Sequence, residues 1–316
     1  MHSVKIWWSA LLLAFLVLSC DHKELCLDHS HRVDVDIVFD WSAAPDATPQ
    51  TMVVQFFRMD GSAYYRSEFT PSGNGTIDKG KVRIEAGEYK ILFHNGEMES
   101  VVERGNTYDG YELVTVSESL LGPMGRAELG MPPRPDEVSD QPVRGVPGNV
   151  WGGRYEHLEV LSGVSGQSVT LLPAEVTMEC TVEVRNVKNM SDALDVSGAL
   201  TGMSESWYLA NGVSSGVPVT MPIALRRVND HTLEARFVLF GHCPVQEAKH
   251  IFSIYTSNKK WYKFDVTDQM HDTEINPDRK HIQIVIDDEV DLPSVDGGMS
   301  PSISDWDEII TDIEMN

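Results

Sequence analysis

The chain has 316 residues, 48 of them Asp or Glu against 25 Lys or Arg, which gives a formal net charge of −23. That balance excludes a nucleic-acid binder, because a phosphate backbone needs clustered Lys and Arg, and it equally excludes docking on anionic lipid through a basic face. An apolar content of 41% suits a buried core, and the length suits two domains of ordinary size.

Residues 1–19 read as a lipoprotein signal peptide. Lys5 lies in the short start, Ala10 to Leu18 form an apolar run too short to span a bilayer comfortably, and Ser19 is the small residue before the cut. The next residue is Cys20, and charge returns at once with Asp21, Lys23 and Glu24. In a bacterial lipoprotein the thiol at that position is acylated and the peptide upstream is removed. The alternatives are a secretory peptide cut near a chance cysteine, or a transmembrane anchor, which the charge after Cys20 opposes. Each buried CH₂ contributes about 0.8 kcal/mol, so two or three acyl chains would hold the mature protein at the membrane permanently. Residues 20–32 then form a lipidated tether.

Beyond the tether, alternation with period two recurs and helical periodicity is scarce. Val33, Val35, Ile37 and Phe39 form one face of a first strand, with Asp34 and Asp36 on the other. Thr51–Met59, the turn Asp60-Gly61 and Ala63–Phe69 predict a hairpin. Lys81–Ile84, Glu88–His94 and Tyr111–Val116 add strands. Met131 to Gly148 carries Pro132, Pro133, Pro135, Pro142 and Pro147, and is expected to be loop: an exposed insertion or a route between sheets. A strand at Val169–Leu172 precedes a junction at Pro173-Ala174.

The second half opens with Val176, Met178, Cys180, Val182 and Val184 alternating with polar residues, a sheet with one wet face. Asp192–Leu200 is expected as a short helix or a crossover. Strands follow at Val217–Leu225, Leu233–Phe240, His250–Tyr255, Trp261–Val266 and His281–Ile286, with Asn258-Lys259 as a hairpin turn. The fold class is therefore all-β, two antiparallel β-sandwiches in tandem at residues 33–172 and 173–290, without a repeat visible residue by residue. Residues 291–316 form an acidic tail. Trp306, Ile309, Thr311, Ile313 and Met315 follow a period of two within it, apart from the spacing at its start, which predicts a terminal strand or a short helix. Such a strand can pair with its own sheet or with the open edge of another subunit, so these residues are the candidate partner-binding set.

Candidate chemistry is sparse. Cys26, Asp28, His29 and His31, with His22 upstream, have ligand chemistry but lie in the tether, where polar residues keep a linker solvated. His242-Cys243 reads as a structural turn. Asp287, Asp288, Glu289, Asp291 and Asp296 lack EF-hand spacing and read as a flexible acidic linker. Cys180 reads as a buried small hydrophobe, and one disulfide is possible among Cys26, Cys180 and Cys243. HExxH, GxSxG, P-loop and dinucleotide motifs are absent from the sequence, so no catalytic residue, metal or cofactor is expected and the protein is read as a non-enzyme. The aromatics Trp41, Tyr64, Tyr65, Trp151, Trp207, Tyr208, Trp261 and Tyr262 either fill cores or offer a sugar-stacking platform, with Trp207-Tyr208 the pair to inspect.

Several segments carry a resemblance. They are Cys20-Asp21-His22-Lys23-Glu24-Leu25-Cys26, Val33-Asp34-Val35, Phe39-Asp40-Trp41, Glu85 to Asn95, Ser197 to Met203 and Leu233 to Gly241. In this order after a lipobox they resemble the FimB-like fimbrial anchor and accessory lipoproteins of Bacteroidota, associated with type V pili. The resemblance implies two transthyretin-like Greek-key sandwiches, attachment at the outer membrane, fimbrial subunits as partners and a place at the base or along a fimbria. Polymerising relatives lose a lipidated first strand to an arginine-specific protease. Here the next arginine after Arg32 is Arg58, late in the second strand, so none lies at the connection between the first two strands. The lipid and first strand are therefore expected to stay, as in an anchor. The alternative function is a surface carbohydrate-binding lipoprotein of a polysaccharide-capture system.

Overall fold

The computed structural model describes residues 32–294 and 306–309, apart from 72–74, 76, 97, 193, 246–247, 273–275 and 277–279. Cys20 and the tether cluster of Cys26, Asp28, His29 and His31 lie outside the described residues. The first half contains β1 (Arg32–Phe39), β2 (Met52–Arg58), β3 (Ala63–Phe69), β4 (Lys79–Glu85), β5 (Gly87–Asn95), β6 (Val101–Arg104), β7 (Glu112–Thr115), β8 (Trp151–Val160), β9 (Gln167–Leu171) and β10 (Ala174–Glu175). The second contains β11 (Met178–Val184), β12 (Val187–Lys188), β13 (Val196–Ser204), β14 (Ser206–Tyr208), β15 (Val213–Ser214), β16 (Pro218–Ala224), β17 (Arg226–Asn229) and β18 (Thr232–Leu239). It continues with β19 (Ile251–Thr256), β20 (Lys260–Asp265), a short helix α1 (Thr267–His271), β21 (His281–Ile286), β22 (Val290–Asp291) and β23 (Asp307–Glu308).

The fold is all-β, built from packed sheets. Sheet β4-β1-β9 closes over β10-β8-β5-β2-β3, and Val35, Ile37, Val54, Phe56, Ile91 and Phe93 fill the space between them. Sheet β17-β18-β11-β21 closes likewise over β16-β13-β19-β20-β23, around Cys180, Val182, Leu200, Phe252, Ile254 and Ile284. The two units follow the same path. In each, the opening strand lies inside its sheet, antiparallel to the fourth major strand (β1 with β4, β11 with β18) and parallel to the last (β1 with β9, β11 with β21). The facing sheets run β8-β5-β2-β3 and β20-β19-β13-β16, the same order of sixth, fifth, second and third. The repeat is thus carried by topology. The parallel pairs depart from a wholly antiparallel sandwich because the last strand crosses back to run beside the first.

A further sheet, β15-β14-β7-β6, takes strands from both halves: Glu112, Leu113 and Val114 pair with Tyr208, Trp207 and Ser206. Behind it Phe57, Leu92, Tyr108, Leu113, Leu209 and Phe240 form a core shared by the two units. On its other side Glu205 accepts hydrogen bonds from Arg144 (Nη2, 2.6 Å) and Arg104 (Nη2, 3.0 Å), while Arg104 Nε also donates to Glu112 (2.6 Å).

Three expectations change. Asp192–Leu200 is no helix: its start belongs to the connection that crosses from the sheet of β11 to the facing one, and from Val196 it is β13, buried on both faces, which removes alternation from its sequence. The Pro-rich stretch is loop, but it is a cover rather than a free insertion. Its Val143, together with Leu120, Leu121, Met124 and Leu129 of the segment leading into it, lies on Ala199, Tyr255 and Trp261, the outer face of the β13-β19-β20 sheet. The acidic run is ordered through Asp291: Val290–Asp291 pair with Val187–Lys188, and Asn186 and Asn189 donate to Asp287 and Asp291. Cys180 and Cys243 are both free and buried. Burial pushes the Cys180 thiol well above the usual thiol range, so it is inert.

Candidate partner-binding edge and the histidine cluster

The C-terminal segment meets the body of the protein at β20, the sixth strand of the second unit. The β19–β20 hairpin turns at Asn258-Lys259, with Lys259 at φ +63°, and Thr256 Oγ1 accepts from the Lys260 amide at 3.0 Å. That turn leaves the backbone of Lys260 and Trp261 facing outward, and β23 covers it as a parallel strand. The Asp307 amide donates to the Lys259 carbonyl and the Ile309 amide to the Trp261 carbonyl, each at 3.0 Å. Lys260 pairs with Asp307 and Lys263 with Glu308 (2.6 Å). The side chains alternate as a strand requires: Trp306 meets the outer face, Asp307 and Glu308 face water, and Ile309 packs against the second core.

Trp306 stands edge-on to Tyr255 (ring centroids 5.8 Å, 87°), and Tyr255 stacks on Trp261 (6.3 Å, 9°). The Tyr255 hydroxyl donates to the Pro133 carbonyl at 3.0 Å, so the Pro-rich cover and the tail are joined through one ring. Burial raises the Tyr255 hydroxyl to about 12, which keeps it a donor. A cleft of about 340 Å³ lies alongside, lined by Pro133, Arg134, Trp261, Lys263, Trp306 and Glu308. The Trp306 indole N–H is buried and has no acceptor among the described residues.

Of the candidate set, the structure brings Trp306 and Ile309 onto the β20 edge; Thr311, Ile313 and Met315 lie outside the described residues. Among the described residues the edge is covered over two residue pairs, a short contact of the kind that can be exchanged for a longer strand. Of the candidate sugar-stacking aromatics, Trp261 and Tyr262 are buried and Tyr64 stacks on Tyr89 at 5.1 Å. Trp207 and Tyr208 are half-buried in β14, and Tyr65 is exposed.

A second cluster escaped sequence reasoning. His242 after β18, His250 before β19 and His271 at the end of α1 place one ring nitrogen each within 4.8 Å of the others. They span three elements and no fixed spacing, so no motif signals them.

The geometry defines an all-β, two-unit sandwich protein with an edge strand covered by its own C-terminal segment. A model for a domain of unknown function, DUF5119, matches residues 19–224, and the chain belongs to that family. No curated protein matches it. Among solved structures it is similar to a candidate adhesin from Bacteroides ovatus ATCC 8483, at 17% identity over 84% of this chain and 94% of that one, TM-score 0.60. A candidate polysaccharide-binding protein (DUF1812) from Bacteroides thetaiotaomicron matches at 9% identity over 80% and 90% of the two chains, TM-score 0.52. The fimbrial anchor protein Mfa2 from Porphyromonas gingivalis matches at 12% identity over 80% and 90%, TM-score 0.50. At these identities the likeness is one of fold.

Proposed function

We propose that this chain is a lipid-anchored structural protein of the outer membrane, tethered through Cys20, that holds or caps a surface fimbria by β-strand contacts with fimbrial subunits. The observation that carries the reading is the position of β1. The strand that follows the tether lies between β4 and β9, with Val35 and Ile37 wholly buried, so removing it would open the first core. Arg32 and Arg58, the arginines on either side, both belong to paired strands. A protease therefore meets no arginine in the β1–β2 connection, and lipid and core remain one covalent piece. The likeness to a fimbrial anchor protein and to a candidate adhesin supports the same reading. No chemistry is required of it. The β20 edge supplies the contact: a subunit's strand replaces the short cover of β23, or the tail itself reaches the partner's sheet.

The test is recovery of the protein from intact cells, with mass spectrometry of its N-terminus and of whatever co-purifies. The expected result is an acylated Cys20 as first residue and fimbrial subunits in the eluate. A mature chain starting near residue 40 or later would remove the anchor role. A second reading, polysaccharide capture, draws on the DUF1812 likeness and on the exposed Tyr65. Glycan binding that disappears on Tyr65→Ala, with the circular dichroism spectrum unchanged, would favour it.

A further inference from the structure

At one end of the second unit the chain makes an unusual detour. β13 changes register between Leu200 and Met203, and Gly202 sits there at φ +76°. A Cβ on Gly202 would lie 2.5 Å from His250 Nδ1 and 2.6 Å from the Lys249 carbonyl, so the backbone approaches the ring as only glycine permits. The kink fixes the backbone on both sides. Cys243 N–H donates to Gly202 O (2.8 Å), Met203 bridges to His242, and Gln141 accepts from the Gly202 amide (3.0 Å). His250 is tied in turn to the start of α1, its amide donating to Thr267 Oγ1 (3.0 Å) and its carbonyl accepting from Val266 (2.9 Å). Three backbones are thereby held so that three imidazoles meet. Their centroids are 5.6 Å (His242–His250), 4.9 Å (His242–His271) and 4.9 Å (His250–His271) apart.

The tautomers follow from the outer hydrogen bonds. His250 Nδ1 donates to the Thr201 carbonyl at 3.1 Å, and His242 Nδ1 lies 3.2 Å from the Cys243 carbonyl. With its Nδ1 proton spent on the backbone, His250 turns the lone pair of Nε2 toward the other two rings, the arrangement in which metal-binding histidines are oriented. His250 Nε2 and His271 Nε2 are 3.1 Å apart. Two imidazole nitrogens on one tetrahedral zinc, each bonded at 2.0–2.1 Å, stand about 3.3 Å apart. Among the described residues, exposed His271 and half-buried His242 leave one side of the cluster facing outward.

We propose that His242, His250 and His271 form a binding site for a divalent first-row transition ion of the zinc type, which clips the β18–β19 connection to the β13 kink and to α1. On binding, the proton that now separates His250 Nε2 from His271 Nε2 is displaced and His271 takes its other tautomer, so three nitrogens face the ion. Imidazole donors suit zinc, copper and nickel, and exclude calcium and magnesium, which require oxygen. The clip is structural: it stabilises the end of the second unit without altering the β20 edge.

The experiment uses the full chain without a polyhistidine tag, stripped with chelator and titrated calorimetrically with zinc chloride. The tether carries its own Cys and His residues, so a Cys26→Ser, His29→Ala, His31→Ala variant is titrated in parallel. The expected result is one ion per chain in both proteins, weakened on the order of tenfold or more by His271→Ala and by His242→Ala. His271 is exposed at a helix end, so its replacement leaves the fold intact, checked by circular dichroism. Zinc at a hundredfold excess over Kd raises the Tm by on the order of 5 °C in the parent and in the tether variant, and not in His271→Ala. No binding, binding unaffected by both histidine replacements, or binding lost only in the tether variant would each overturn the site.

Discussion

Glu205 and His94 show how single buried groups set the behaviour of the molecule. Glu205 is 5% exposed and holds Arg144 and Arg104 where the two units meet. Its replacement by Ala leaves both guanidinium groups without that carboxylate; because Arg104 is half-exposed, the cost is about 2 kcal/mol, below that of breaking a fully buried pair, read from the urea midpoint. His94 is 1% exposed, its Nδ1–H donating to Asn95 O (2.7 Å) and its Nε2 accepting from the Tyr111 hydroxyl (3.0 Å). Burial holds its titration below the ordinary histidine value, with Arg66 adding to the effect and Asn95 O and Glu103 opposing it. Above about pH 6.5 the ring is neutral in folded and unfolded chains alike. Below it the unfolded chain takes up a proton that the folded ring refuses, so stability falls with pH. His94→Gln should flatten the dependence of the urea midpoint between about pH 6.5 and pH 5; an unchanged slope would assign the effect elsewhere. Residues of this kind are poorly legible in sequence. Cys180, Val182 and Val184 announce a buried face by alternation, whereas His94 and the three clustered histidines acquire meaning only from partners distant in the chain.

Among the elements, the most informative contrast lies between β8, β13 and the tail. Sequence patterning missed β8, because its run from Arg154 to His157 is exposed on both faces and carries no apolar face to read. It misread β13 for the opposite reason. Ser197, Gly198, Ala199 and Leu200 are all buried, since the Leu120–Val143 cover seals the face that would otherwise be wet. The tail's alternation predicts a terminal strand or a short helix and falls mostly outside the described residues; the short strand at Asp307–Glu308 sits on Lys260–Trp261 beside the Tyr255–Trp261 stack, which sequence does not reveal. Trp306→Ala removes the ring that rests on Tyr255 and is expected to cost about 1–2 kcal/mol for a partly buried aromatic. The sharper readout is hydrogen exchange. The amides of Asp307 and Ile309, held by Lys259 and Trp261, should exchange at the rate of free chain in the variant, while those of β19 stay protected.

On the scale of the whole molecule, two units of the same topology share a sheet and a core, so they are expected to unfold together. Calorimetry should show a single transition. Leu113→Asp buries a carboxylate in the shared core, beside Phe57 and Leu209, and should lower the Tm and split the transition in two. A split already present in the unmodified chain would show that the shared core is too weak to couple them. The strand at the N-terminal end carries one more consequence. β1 is in register with β4 over seven residue pairs, Arg32 to Val38, and with β9 over five, Val35 to Phe39. A pull on the chain ahead of Arg32, directed along the strand, cannot peel these pairs one after another. It must slide β1 past both neighbours at once, so tension is spread over two ladders and over the buried side chains of Val35 and Ile37. Load applied at that end is thus borne by both ladders together before the strand can be drawn out.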